Sequence, residues 1–135
     1  MLDSVQNNQL HVHKLVDSTS PVAPTEGLMA MKILANDVYI EFLQTAPWND
    51  AELAPLLGIK QKLSGVGTIL LRSAVMFSKQ QGFLGRLALT SLSGAVGFYE
   101  QAGFIQDSRS GNLSYVLMEV EADSLLERIR NKIGF

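Results

Sequence analysis

Lys62-Leu63-Ser64-Gly65-Val66-Gly67-Thr68 sets two glycines one residue apart ahead of the apolar run Ile69-Leu70-Leu71. A series of backbone N–H groups is thereby left open at the mouth of a helical pattern. The first amides of a helix lack intrahelical acceptors, and the peptide dipoles add partial positive charge there, so the stretch suits an anion. Glycine lets a bulky phosphate approach the backbone without meeting a Cβ. The same G-x-G also serves as an ordinary tight loop. A nucleotide-binding P-loop needs Gly-Lys-Ser/Thr at its end, and none follows Gly67; a dinucleotide fold needs a third glycine near Leu70, and it is absent.

Glu41 is the second residue placed for chemistry. In Val38 to Thr45 a period of two puts Tyr39, Glu41 and Leu43 on one face and Ile40, Phe42 and Gln44 on the other, so Glu41 interrupts an apolar face. A carboxylate there is costly unless it is hydrogen-bonded, hydrated or used. It is either an acid near a strand end with its head in water or a general base. His11 and His13 alternate onto one strand face, but no carboxylate or third His lies close by, so they read as exposed strand residues and no metal site is expected.

The elements that must hold these residues follow from periodicity and turn chemistry. Leu10 to Val16 reads as a short strand, followed by a loop marked by Pro21, Pro24 and Gly27. Gly27 to Leu34 and Val38 to Thr45 make an antiparallel hairpin across the Asn36-Asp37 turn. Pro47 cannot donate to a ladder, so pairing stops or splays there. Ala51 to Gly58 reads as a short helical turn and loop, with Trp48 either an anchor for it or a wall of an acceptor pocket.

Val66 to Gln81 carries Val66, Ile69, Leu70, Ala74 and Phe77 at helical spacing, with Gly82 as its cap. Arg72 and Lys79 fall on its solvated side. A strand from Leu84 to Thr90 then follows a crossover, which favours parallel pairing. Ser93 is the expected N-cap of a helix from Gly94 to Ala102, and Gly103 its terminator. Gly94 and Gly97 each weaken that helix by ~1 kcal/mol relative to Ala, so something must approach closely there. Phe104 to Gln106 and Leu113 to Val120 form a closing hairpin. Asp123 or Ser124 caps a last helix with Leu125, Leu126, Ile129 and Ile133 in one stripe.

Ala95-Val96-Gly97-Phe98-Tyr99-Glu100-Gln101-Ala102-Gly103-Phe104 has the form A-x-x-F-Y-x-x-x-G-F. In that order and spacing with the glycine loop, it resembles the GNAT family of acyl-CoA-dependent N-acyltransferases over roughly residues 27–120. Lys62 to Gly67 then looks like the family's Q/R-x-x-G-x-G/A pyrophosphate loop, with Lys62 where Gln or Arg is preferred. The resemblance implies an α/β (α+β) fold: a mixed, mainly antiparallel central sheet flanked by helices, splayed between the family's fourth and fifth strands. The family's N-terminal helices are missing or reduced, since the residues before Gly27 cannot hold them. An open face there would favour a homodimer.

What the resemblance implies for function is transfer of an acetyl group from acetyl-CoA (coenzyme A) to a primary amine by direct attack. The alternative is an acyl-CoA-binding protein that does not catalyse. Tyr99 is then the general acid and Glu41 the general base. The cofactor is held by Thr45, by Lys62, Leu63, Ser64, Gly65, Val66, Gly67 and Thr68, and by Ala95 and Phe98. Ser91, in an L-x-S-x-x-x-A arrangement, stands in for the Asn that many members carry where this chain has Leu92. Trp48 faces the acceptor, and an amide from Gln44 to Ala46 polarises the carbonyl.

Composition narrows the field. The chain's 135 residues suit one domain spanning 1–135, and 47% hydrophobic against 18% charged residues argues for a packed core. A net charge of -2 offers no field for a polyanion, so nucleic acid is not an expected partner. Without cysteine there is no disulfide, thiolate metal site or sulfur-bound acyl group. No basic leader or membrane-length apolar run is read, so cytoplasmic residence without a membrane partner is expected. Glu26, Asp37, Glu41, Asp50 and Glu52 either gather on one side, favouring a cationic small-molecule or peptide amine, or are scattered surface acids.

Overall fold

A computed structural model describes residues 9–17, 19, 21–22, 24–49, 56 and 65–133. Alternating strands and one long crossover helix build a single six-stranded sheet in the order β1-β2-β3-β4-β6-β5. The strands are β1 His11–Val16, β2 Thr25–Ile33, β3 Val38–Thr45, β4 Leu87–Thr90, β5 Ile105–Gln106 and β6 Ser114–Leu117. All neighbours run antiparallel except β3 and β4, which helix α1, Val66–Gln80, joins in parallel. Helix α2, Val96–Ala102, follows β4, and α3, Glu119–Ile133, follows β6. This is the mixed, mainly antiparallel sheet with flanking helices that the sequence leads one to expect. No helix precedes β1 among the described residues, and no helix there is long and apolar enough to cross a membrane.

One face of the sheet carries the core. Met29 and Met31 from β2, Val38 and Ile40 from β3, Leu87 and Leu89 from β4, and Tyr115 and Leu117 from β6 all follow the period of two, and all are buried. They pack on the apolar stripe of α1, on Tyr99 and Ala102 of α2 and on Ala122, Leu125 and Ile129 of α3. On the opposite face Val12 and Phe42 remain 57% and 40% exposed.

Several boundaries differ from the periodic reading, each for a local reason. Leu84 and Gly85 have φ of 61° and 92°, a left-handed turn that delays β4 to Leu87. Ser93 opens a 3-10 turn, Ser93–Ala95, and caps nothing with its side chain, so α2 starts at Val96. Strand β6 ends at Leu117, and α3 starts at Glu119 rather than at Asp123 or Ser124; Glu119 and Glu121 supply the acids that suit its first turn. Between β2 and β3, Ala30 pairs with Phe42 but Met31 with Ile40, leaving Glu41 as one extra residue in β3. This β-bulge inverts the alternation, so Ile40 and Leu43, not Ile40 and Phe42, serve the core.

His11 and His13 are half-buried rather than exposed. Their rings lie 5.0 and 5.6 Å from that of Phe77 on α1, and His13 Nδ1 is 2.6 Å from Ser73 Oγ. Burial first, and the charge of His11 second, hold the His13 pKa below 6.5. The unfolded chain therefore takes up this proton at a higher pH than the native state. The His13 contribution to stability is complete above pH 6.5 and is lost as pH falls through the lowered native value. Thermal melts should show Tm falling below pH 6.5, with a shallower slope in His13→Gln. Identical slopes would remove His13 as the cause.

Candidate active site

The bulge opens a gap in the sheet. Strands β3 and β4 pair only at Val38↔Leu87, Tyr39↔Ala88 and Ile40↔Leu89, whereas β3 stays paired with β2 as far as Thr45↔Gly27. From Glu41 onward the β4 side of β3 therefore meets no strand among the described residues. This is the splay expected between the strands in the family's fourth and fifth places, and the extra residue bends and twists β3 at the point where it starts. The Ala46 N–H donates to the Glu26 carbonyl at 2.9 Å. Hydrogen-bonded pairs alternate along an antiparallel ladder, so Gln44 also faces β2, while the N–H groups of Leu43 and Thr45 point into the gap. Of the amides from Gln44 to Ala46, only that of Thr45 faces the gap, with that of Leu43 beside it.

The N-terminus of α1 is seated beside these amides. Gly27, opposite Thr45, lies so close under the helix that a Cβ would come within 2.7 Å of Val66 Cγ1 and 2.9 Å of Leu70 Cδ1. Gly65 has a φ of 77°, provides no side-chain cap, is exposed and has open space where a Cβ would project. The Ile69 N–H is the first to bond back, to the Gly65 carbonyl at 3.0 Å. The amides of Val66, Gly67 and Thr68 thus have no intrahelical acceptor. Val66 can offer only its backbone, since its side chain is buried against Gly27. Gly67 is not open: a Cβ there would stand 3.0 Å from Phe98 Cζ. Lys62, Leu63 and Ser64 lie outside the described residues, as does most of the Ala51 to Gly58 turn.

Tyr99 projects from α2 with its ring held between aromatic neighbours, 5.1 Å from Phe98 and 5.4 Å from Phe104. The residue is 8% exposed, and burial pushes its hydroxyl pKa above 10. Its hydroxyl has no hydrogen-bond partner among the described residues, and no wholly buried side-chain polar atom among them lacks one, so this oxygen is not wholly enclosed by them. Ser91 is nearly enclosed, and its hydroxyl donates to the Leu92 carbonyl at 2.7 Å, leaving only its acceptor capacity for a ligand. The Ala95 amide is taken by the Leu92 carbonyl at 2.9 Å. Nothing lies within 4 Å of the Cβ positions of Gly94 and Gly97, so no part of the described protein requires glycine there. Thr68 and Phe98 line a cleft of about 200 Å³ between α1, α2 and α3. Lys79 belongs elsewhere, paired with Asp123 at 2.7 Å near the far end of α1.

Glu41 lies on the face away from the helices. Lys32 alternates with Met29 and Met31 to that side of β2, and its Nζ is 2.8 Å from Glu41 Oε1. Nearby, the Tyr39 hydroxyl donates to Thr90 Oγ1 at 2.9 Å, tying β3 to β4 where the gap begins. Glu26, which the sequence leaves as either one of a gathered acidic group or a scattered surface acid, is fully buried. It accepts from Trp48 Nε1 at 2.8 Å and Asn49 Nδ2 at 2.7 Å. Trp48 is thus an anchor that fastens the 3-10 turn Pro47–Asn49 to β2. The acids do not gather among the described residues: Asp37 sits in the β2–β3 turn at the other end from Glu26, and Glu41 is paired. Asp50 and Glu52 lie outside the described residues. Glu26→Leu strands two donors and should cost about 1–3 kcal/mol. A chemical melt, with red-shifted emission from Trp48, the sole tryptophan, would show it; an unchanged midpoint and spectrum would refute the anchor.

No protein-family model matches the sequence, and no curated protein matches it. Solved structures do. A PaiA N-acetyltransferase from Thermoplasma acidophilum in complex with coenzyme A aligns over 87% of this chain at TM-score 0.60 and 19% identity; the chain spans 65% of its length. The KacTA–DNA complex aligns over 93% of this chain and 78% of that one, at TM-score 0.63 and 17% identity. A mutant AtaT toxin bound to the C-terminus of the antitoxin AtaR and acetyl-CoA gives TM-score 0.62 and 15% identity with the same two coverages.

Proposed function

On the premise that the chain carries the GNAT acetyltransferase fold, we propose that it moves an acetyl group from acetyl-CoA to a primary amine by direct attack. The observation that carries this reading is the gap beyond Ile40↔Leu89, with the uncapped amides of α1 docked beside it through Gly27. The amides of Val66 to Thr68, with Lys62 to Gly65 before them, bind the diphosphate. Phe98, Ala95 and Ser91 flank the arm that leads into the gap, beside Thr45. Acetyl-CoA supplies the activated thioester.

The rest falls to the chain's own groups. A primary amine of pKa about 10.4 reaches the site charged, and Glu41 takes its proton directly or through water. The Leu43 or Thr45 N–H faces the thioester oxygen as negative charge develops on it. As the carbon–sulfur bond breaks, Tyr99 gives its proton to the departing thiolate, whose acid has a pKa of about 8.5. Carrier and amine approach from opposite faces of the sheet: the helices lie on one and Glu41 on the other.

The acceptor in this reading is a small-molecule or peptide amine and the setting cytoplasmic, with the exposed sheet face open to a second copy. An acyl-CoA-binding role without catalysis is the second reading, favoured by Lys32 already holding the Glu41 carboxylate. Thiol release from acetyl-CoA over a panel of amines tests the two. Amine-dependent release is expected. Thermal stabilisation by coenzyme A without release on any amine would favour the binding role, and neither response would overturn both.

A further inference from the structure

A general base takes a proton only from a donor within hydrogen-bond reach, about 2.6–3.2 Å between heavy atoms. Lys32 Nζ already lies 2.8 Å from Glu41 Oε1 and is itself a primary amine, with its side chain 37% exposed. The pair sits at the apex of the gap. Lys32 is opposite Tyr39, the residue before Ile40 of the last β3–β4 pair, and Glu41 is the first residue beyond that pair. From the base, the gap-facing amide of Leu43 is two residues along β3, about 7 Å at the usual strand rise. A thioester carbonyl on that amide therefore lies next to an amine that the base is already contacting.

We infer that Lys32 is an internal acceptor and that the chain acetylates its own Nζ. The inference rests on the acetyl-transfer reading above. Glu41 takes one proton from the Nζ ammonium, Nζ bonds to the thioester carbon, the carbon–sulfur bond breaks, the thiolate takes the Tyr99 proton, and the second nitrogen proton, released as the amide forms, passes through water to reprotonate Tyr99. The products are Nε-acetyl-Lys32 and coenzyme A. Acetylation removes the Lys32 charge and so ends the ion pair, leaving Glu41 available to an external ammonium group. Lys32 thus guards the acceptor position until it is itself modified.

The experiment is incubation of the full chain with acetyl-CoA and no added amine, followed by peptide mapping of all lysines. Lys79 is the internal control, since it is equally ion-paired but far along α1. Label at Lys32 should exceed that at Lys79, and should fall about a hundredfold in Glu41→Gln and in Tyr99→Phe, the usual scale of general acid–base catalysis. Lys32→Arg retains the charge pair and should take up no label at that position. Label spread evenly over the lysines, or label at Lys32 surviving both site variants, overturns the inference. Turnover of external amines with Lys32 unlabelled also overturns it, while leaving the acetyltransferase reading intact. If acetyl-CoA is neither consumed nor bound, that reading fails as well.

Discussion

Tyr99→Phe should lower acetyl transfer about a hundredfold, the low end of what a positioned proton donor contributes, and leave coenzyme A affinity nearly unchanged. A hundredfold loss corresponds to about 2.7 kcal/mol of transition-state stabilisation. The two roles of this residue separate in space. Its ring is fixed by Phe98 and Phe104, contacts that a phenylalanine reproduces, and its hydroxyl makes no bond that folding would miss among the described residues. Burial keeps the hydroxyl protonated beyond its ordinary range, so wild-type turnover should not decline through this group below pH 10. Single-turnover thiol release, beside coenzyme A titration of both proteins, decides it. Equal turnover in the variant would take Tyr99 out of the mechanism.

Gly27→Val should destabilise the chain by about 1–3 kcal/mol and weaken coenzyme A binding at the same time. The first added carbon already falls 2.7 Å from Val66 Cγ1, 2.9 Å from Leu70 Cδ1 and 3.3 Å from the Gln44 carbonyl oxygen. The two methyl groups have little room to retreat, because Val66 and Leu70 are both almost wholly buried. Relief requires α1 to lift from β2, which moves its uncapped amides away from Thr45. At several degrees per kcal/mol for a chain of this size, Tm should drop by about 5–10 °C. A valine variant that melts and binds like the parent would mean that α1 is not seated through Gly27.

Long regular patterns are the legible part of this protein. The crossover helix announces itself through about three turns of apolar spacing, and the hairpin through its Asn36-Asp37 turn. The motif around Tyr99 points to a fold that three-dimensional similarity bears out. Less legible are features made by single residues or by distant partners. A bulge adds one residue without any local marker, so the alternation through Glu41 reads as unbroken. Leu84, an apolar residue at positive φ, passes for strand. The burial of Glu26 is not legible because the side chains that donate to it come 22 and 23 residues later. At Gly67 the neighbour is the Phe98 ring, which comes in from a separate helix. Spacing along a chain carries no trace of such meetings.

The additional residue in β3 makes that strand sensitive to number rather than to kind. Substitutions between Glu41 and Thr45 alter one side chain each, but losing or gaining a single position would exchange inside for outside along the whole remaining edge. Natural variation in this stretch should therefore run to replacement and spare its length.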